Sequence, residues 1–332
     1  MNTKLNFTLG LMILVSLLFN TRTTAADVDP FLGRWALHLP GGAGWLEVRQ
    51  ESGYLDASLL WYGGSVVPVS GVYVSGSKLV VTRRVSSNEF GSRTLQAPQL
   101  LEAEVNGDQL IGKLTEPKKD GSGAKVTLFH GTKIPDVPAK PNLANVQYGK
   151  PIKLLNGKDL TGWVIKEAGK ANGWSVEKGV LRNNPVQPEG KHISYGNLRT
   201  VDTFEDFNLK LQVNVPAGNN SGVYLRGIYE VQVVDSYGKE VDSHNMGALY
   251  SRITPSSAAE KKPGEWQDMD ITLYKRHLTV KLNGTTIIDN QPVYGVTGGA
   301  MTADEFSPGP IYLQGDHGEV SYRELVLTPI VN

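Results

Sequence analysis

Leu209, Leu211, Val213 and Val215 alternate with Asn208, Lys210, Gln212 and Asn214. A period of two puts each set on its own face, so this stretch reads as a half-buried antiparallel strand. Tyr229, Val231 and Val233 alternate with Glu230 and Gln232 in the same way, and Leu278, Val280 and Leu282 turn inward after His277. Asn283-Gly284 follows as a strong hairpin-turn dipeptide, and Thr285 to Asp289 returns from it. Ile311 to Gln314 and Val320 to Leu327 supply the last strands. No segment sustains a helical period; Pro255 to Glu260 predicts one short helical turn with Ser256 or Ser257 as its cap.

The first part of the chain is strand-rich as well. Trp45 to Val48, Leu55 to Trp61, Lys78 to Thr82, Leu100 to Val105 and Lys125 to Phe129 are short apolar runs separated by Gly, Ser and Asn turns. Such spacing predicts a small sandwich or barrel over 27–133, and Gly33-Arg34-Trp35 with an Asn106-Gly107-Asp108 turn resembles a lipocalin-like meander. Pro135, Pro138 and Pro141 mark 134–150 as a linker, because proline supports neither helix nor ladder. Residues 151–330 form the second unit. The expected fold class is therefore all-β, in two units.

The N-terminus adds a targeting segment. Lys4 precedes an uncharged apolar run from Phe7 to Phe19, and Thr24-Ala25-Ala26 offers small residues for cleavage. The run is short for a membrane span, so 1–26 reads as a signal peptide, and the mature chain is expected in the periplasm or outside the cell with no membrane attachment. Lys+Arg and Asp+Glu are both 33, which gives no field to draw nucleic acid or anionic lipid. With no cysteine there is no disulfide, thiolate nucleophile or Cys-ligated metal.

The second unit resembles the 3-keto-disaccharide hydrolase family. The residues that carry the resemblance fall in order: Leu154 to Trp163, Gly173-Trp174-Ser175-Val176, Gly179-Val180-Leu181, Asp206 to Leu209, Asn220 to Arg226, Tyr229 to Asp235, Gly264-Glu265-Trp266, Leu282-Asn283-Gly284 and Pro310 to Gly318. The resemblance implies a concanavalin- or laminarinase-like jelly roll of two antiparallel sheets. At one point the chain departs from it: Tyr322-Arg323-Glu324-Leu325 stands where the family more often has an aromatic residue followed by Arg-Asn.

The resemblance also implies action on glycosides already oxidised at C3. The ketone acidifies the hydrogen at C2; a base removes it, the aglycone leaves C1 by elimination, and water then adds. Such chemistry needs a base, stabilisation of the enolate oxygen and an acid for the leaving oxygen. Glu230 and Gln232 share the polar face of one strand, and alternation places Tyr224 and Arg226 together on another. The expected catalytic set is Glu230 as base, Arg226 holding the enolate or sugar hydroxyls, and His317, in the polar loop Asp316-His317-Gly318, as proton shuttle. Asn220, Tyr224, Gln232, Asp235, His192, His244, Trp266 and Gln314 are expected to contact the sugar, with Tyr237 and Tyr250 as further stacking aromatics.

Asp235, Asp242, His244, Asp316 and His317 are suitable donors for a divalent metal, which stays open as a cofactor because no metal-ligand spacing is present. Oxidation at C3 falls to a separate sugar 3-dehydrogenase, since no dinucleotide fingerprint occurs. A carboxylate pair for ordinary hydrolysis is not evident: Glu230 and Asp235 fall on opposite faces of a regular strand. The rival reading is a non-catalytic carbohydrate-binding or adhesion module, which the same fold supports.

Overall fold

The computed structural model describes residues 27–90, 93–118, 120–189 and 191–332. The expected signal peptide lies outside the described residues. Among those residues the only helical turns are the 3-10 segments Asp29–Phe31 and Leu143–Asn145. No helix of the described residues is long and apolar enough to cross a membrane.

Residues 33–134 build one antiparallel sheet of nine strands in which Gly33–Leu39 pairs with both Gly42–Gln50 and Ala124–Ile134. The sheet curls until its two ends meet. Leu55–Trp61 leads through Val67–Pro68 to Gly71–Ser75; between them Val69 N donates to Ala57 O at 3.1 Å and Ser70 N to Thr82 O at 2.7 Å. The result is a closed meander filled by Trp35, Leu37, Leu46, Leu59, Leu79, Leu101 and Leu110. Closure removes the exposed edges that a small sheet would otherwise carry. Gly107 takes φ 64° in the two-residue turn that joins Arg93–Asn106 to Gln109–Pro117.

The second unit is a two-sheet antiparallel jelly roll. One sheet holds Trp174–Glu177, Val180–Asn183, Val320–Pro329, Phe207–Asn214, Trp266–Tyr274, His277–Leu282 and Thr285–Pro292 in spatial order, with Ile152–Lys153 added beside Val320–Pro329. The other runs Trp163–Ile165, Leu198–Thr200, Tyr312–Leu313, Asn220–Leu225 and Tyr229–Val234. Leu209, Leu211 and Val213 of the first sheet meet Val223, Leu225, Val231 and Leu313 of the second in one core. The alternation in the sequence is thus a burial pattern. Asn283 and Gly284, at φ 50° and 84°, make the primed turn whose twist suits a hairpin.

Two features depart from the sequence reading. Pro255 to Glu260 forms no helical turn; Ser256 N instead donates to Ile287 O at 2.8 Å, so sheet contact captures the segment. The strand Val320–Pro329 carries a bulge: Gln212 pairs with Arg323 and Lys210 with Val326, which leaves Glu324 and Leu325 opposite one residue. Glu324 adopts φ 55° there.

The two units share packing. Ala36, Ala43, Trp45, Leu60 and Ile134 of the barrel join the core cluster of the jelly roll. The Arg252 guanidinium lies 4.4 Å from the Trp45 ring centre, and Gly299 N donates to Tyr62 O at 3.0 Å.

Candidate active site

Alternation decides which side chains face the cleft. Val223, Leu225, Val231 and Leu313 point into the core, so Tyr224, Glu230 and Tyr312 emerge on the opposite face of the five-stranded sheet. Loops cover that face and leave a cleft of about 420 Å³, within the range of small-ligand sites. Glu230, Tyr224, Tyr312, Asn220, Gln314 and His317 line it together.

Glu230 is 4% exposed. Burial pushes its carboxyl up to about 8, only partly offset by Tyr224 and the charge of His317. Its backbone N–H donates to Thr297 Oγ1 at 2.9 Å, which fixes the strand against the 297–299 loop. A Cβ on Gly222 would come within 2.3 Å of Glu230 Oε1, so the glycine leaves the space that the carboxyl occupies.

The Tyr224 hydroxyl sits 2.9 Å from Glu230 Oε2 and 2.7 Å from Gly298 O. It has one proton for two acceptors. Every group is satisfied when Glu230 is protonated: the carboxylic acid donates to Tyr224 Oη, and Tyr224 donates to the Gly298 carbonyl. Deprotonation of Glu230 makes the two acceptors compete for one O–H. Burial rather than this contact raises the Glu230 pKa, since a Tyr224 hydroxyl donating to the carboxylate lowers it. The Tyr224 ring stacks on Tyr312 with centres 4.1 Å apart, and burial holds both phenols above their usual range.

His317 Nδ1 lies 2.7 Å from Asp316 Oδ1. The carboxylate raises the imidazole pKa through that bond against the opposing effect of burial. Asp316 itself is partly buried, which opposes ionisation, yet His317 holds it below its ordinary value. The loop carrying the pair is pinned at several points. Asn183 Nδ2 donates to Gly315 O and Gly318 O, both at 2.9 Å, and Gly315 N donates to Asn197 Oδ1 at 2.8 Å. Asn197 in turn donates from its side chain and backbone to Glu167 at 2.8 and 2.9 Å. Burial disfavours the charge on Glu167, but Lys166 Nζ at 2.9 Å and those Asn197 bonds keep it ionised.

The structure gathers Glu230, His317, Asn220, Tyr224 and Gln314 from the expected set, with Tyr250 at the rim. The side-chain oxygens of Asn220 and Gln314 are buried without a protein partner, so both remain available to a ligand hydroxyl.

Arg226 is not brought in. The strand ends at Leu225, Arg226 turns left-handed at φ 55°, and its guanidinium donates to Glu305 O at 2.7 Å and Ser307 O at 2.6 Å. Gln232 is buried outside the lining, its backbone paired with Gly247 and Ala248 and its side-chain oxygen accepting from Val233 N at 3.0 Å, and Asp235 accepts from Gly218 N at 2.9 Å. His244 packs edge-on against Tyr250 and bonds Ser65 Oγ at 2.8 Å. Trp266 lies on the other sheet under the Arg323 guanidinium. His192 and Tyr237 lie outside the lining. Among the described residues no three His, Asp or Glu side chains come together as a metal site; Asp316–His317 and Asp242–His244 remain pairs.

Some cleft residues carry no role in the sequence reading. Tyr312 shares its parity with Gln314, so alternation alone places it on the same face. Lys166, Glu167, Lys170 and Asn197 come from irregular segments, and Gly63 and Gly64 come from the other unit; neither group has a periodic signal.

A two-sheet β-sandwich with a buried carboxyl, a paired histidine and stacked tyrosines at one face defines the class. The chain belongs to the 3-keto-alpha-glucoside-1,2-lyase-like domain family, whose model matches residues 150–328. A 3-keto-disaccharide hydrolase of Bacteroides thetaiotaomicron is 26% identical over 42% of this chain and 57% of its own length, so the match spans little more than half of that relative. Two solved structures from Parabacteroides distasonis, described as candidate glycosyl hydrolases, are also similar. One is 23% identical with a TM-score of 0.44, covering 53% of this chain and 92% of its own. The other is 25% identical with a TM-score of 0.41, covering 54% and 98%.

Proposed function

We propose that this chain cleaves glycosides carrying a ketone at C3, by proton abstraction at C2 and elimination at C1. The observation that carries the reading is the Glu230 carboxyl, buried at the floor of the cleft with its pKa at about 8 and sharing that cleft with His317. A carboxylate made this basic is matched to a carbon acid activated by an adjacent carbonyl.

Ionised Glu230 takes the C2 proton, and the electron pair of the C2–H bond becomes the enolate. The enolate collapses, a C1–C2 double bond forms, and the C1–O bond breaks. His317, held by Asp316, gives its proton to the departing oxygen. Addition of water across the new double bond then completes net hydrolysis. Lys170 at the cleft wall brings positive charge towards the developing enolate, the charge of Lys166 being paired with Glu167, and Asn220 and Gln314 accept hydrogen bonds from sugar hydroxyls. The ketone must come from a separate sugar 3-dehydrogenase, and the N-terminal segment fits a protein that meets its substrate after export.

The test is release of a chromophoric aglycone from a 3-keto-glucoside beside its unoxidised parent, with and without chelator. Release from the keto sugar alone, lost in Glu230→Gln and His317→Ala, supports the reading. Sugar binding without release from any keto-glycoside overturns it in favour of a binding module, and loss on chelation adds a metal.

A further inference from the structure

The family model begins at residue 150, yet part of the cleft wall comes from residues before it. Gly63 and Gly64, in the turn after the barrel strand Leu55–Trp61, line the same cleft as Glu230 and His317. That turn is tied down. Tyr62 O accepts from Gly299 N at 3.0 Å, Ser65 Oγ meets His244 Nε2 at 2.8 Å, and Val66 N donates to Ser251 Oγ at 2.9 Å. These partners flank cleft residues on both sides: Gly299 precedes the 300s loop and lines the cleft itself, while His244 packs on Tyr250, which also lines it.

The two units approach too closely for a side chain at Gly298, and the same loop is pressed against Tyr224 within its own unit. A Cβ on Gly298 would lie 2.1 Å from Gly64 O, and one on Gly299 would lie 2.6 Å from the Tyr224 hydroxyl. The Gly298 carbonyl is also the acceptor for Tyr224. The barrel turn, the 298–299 loop and the Tyr224–Glu230 pair are therefore packed in sequence. By contrast, a Cβ on Gly63 meets nothing within 4 Å, and Gly63 has no left-handed φ. A side chain there is compatible with the backbone and meets open space, at a residue that lines the cleft.

We propose that the Tyr62–Ser65 turn of the N-terminal barrel is a specificity-determining wall of the cleft, which sets how large a glycoside it admits beyond the reacting sugar. Bare glycine backbone at this wall leaves room for a sugar or aglycone. The inference rests on the carbohydrate reading of the same cleft, but not on the elimination chemistry.

The test uses the full chain with Gly63→Trp, and Gly63→Ala as a control for backbone effects. Binding of glucose, a glucose disaccharide and a trisaccharide is measured by calorimetry in the Glu230→Gln background, and turnover of the corresponding 3-keto-glycosides in the wild-type background. Gly63→Trp is expected to weaken the disaccharide and trisaccharide by about tenfold or more while sparing glucose, with Gly63→Ala close to the parent. Equal affinities and equal kcat/KM across the size series in both variants overturn the proposal while leaving the elimination reading intact. Size-dependent loss of binding with no turnover of any keto-glycoside by the unmodified chain supports the wall and overturns the elimination reading. Absence of binding and turnover for every sugar overturns both.

Discussion

Tyr224 Oη stands between Glu230 Oε2 at 2.9 Å and the Gly298 carbonyl at 2.7 Å, and a single hydroxyl proton cannot serve both. The pair therefore reports the protonation state of Glu230. If Glu230 is the base, the rate of aglycone release rises with pH through about 8, where the buried carboxyl ionises. Glu230→Gln is expected to lose about 10²–10⁴-fold in kcat and to lose that rising limb. A rate that falls through the same pH instead makes Glu230 the acid and reverses the assignment.

The same ionisation is linked to stability. The folded pKa of Glu230 lies near 8 against an ordinary 4.5, so between these values the folded chain holds a proton that the unfolded chain has released. The contribution is fully present below about pH 4.5 and is lost as pH rises through 8. Wild type should therefore lose stability relative to Glu230→Gln across this window, by at most about 1.4 kcal/mol per pH unit. Urea melts of both proteins from pH 4.5 to 9 read the difference directly; parallel curves would mean that Glu230 is not buried as described.

Gly222→Ala isolates the position of the carboxyl from its chemistry. The added Cβ falls 2.3 Å from Glu230 Oε1, the end of a flexible side chain rather than backbone. It also comes within 2.9 Å of Glu230 Cδ and Cγ, so the whole side chain must shift, and a melt of the variant checks that the fold is kept. Activity is expected to drop by about 10²-fold, as for other small misplacements of a reacting group, with stability lowered by about 1–3 kcal/mol from the overpacking. Activity that survives this substitution places the working group elsewhere.

Alternation made the sheet faces legible in the sequence, because the same period of two that buries Val223, Val231 and Leu313 turns Tyr224, Glu230 and Gln314 to the other side. It misplaced Arg226 because periodicity was extended one residue past the end of its strand, into a left-handed turn. His317 was readable only as a polar loop residue; its pairing with Asp316 is a local contact, but the Asn183 and Asn197 bonds that hold the loop span more than a hundred residues. Gly63 and Gly64 left no signal at all, since their role depends on how the barrel docks on the jelly roll. Trp266 and His244 are correct residue types for sugar contact, and their position depends on which sheet or loop carries them.

Asp316→Asn tests the acid. Asp316 raises the pKa of His317 mainly through the bond at 2.7 Å. Without the carboxylate, His317 loses its proton at lower pH, so the alkaline limb of kcat moves down; the rising limb set by Glu230 follows by less, because the charge of Asp316 is the smallest influence on that carboxyl. The overlap shrinks and the maximum falls. Glycosides with good leaving groups, which need little protonation, should be affected least. An Asp316→Asn profile identical to wild type would remove His317 from the acid role.

Glu324 offers a prediction about stability alone. It occupies the bulge opposite Leu211 at φ 55°, a left-handed conformation in which a Cβ-bearing residue is strained and Asn or Gly is preferred. The resemblance places an Asn at this step, and the left-handed backbone supplies the physical reason for an amide there. The side chain of Glu324 is exposed and makes no hydrogen bond that its replacement would forfeit among the described residues. Glu324→Asn is expected to stabilise the chain by up to about 1 kcal/mol through relief of the left-handed strain, and Glu324→Gly by less because the unfolded chain gains freedom. Thermal melts should show a rise of about 1–4 °C for Glu324→Asn, with kinetics on the keto-glycoside unchanged. A drop in melting temperature for Asn would mean that the bulge is held by an interaction of the glutamate itself.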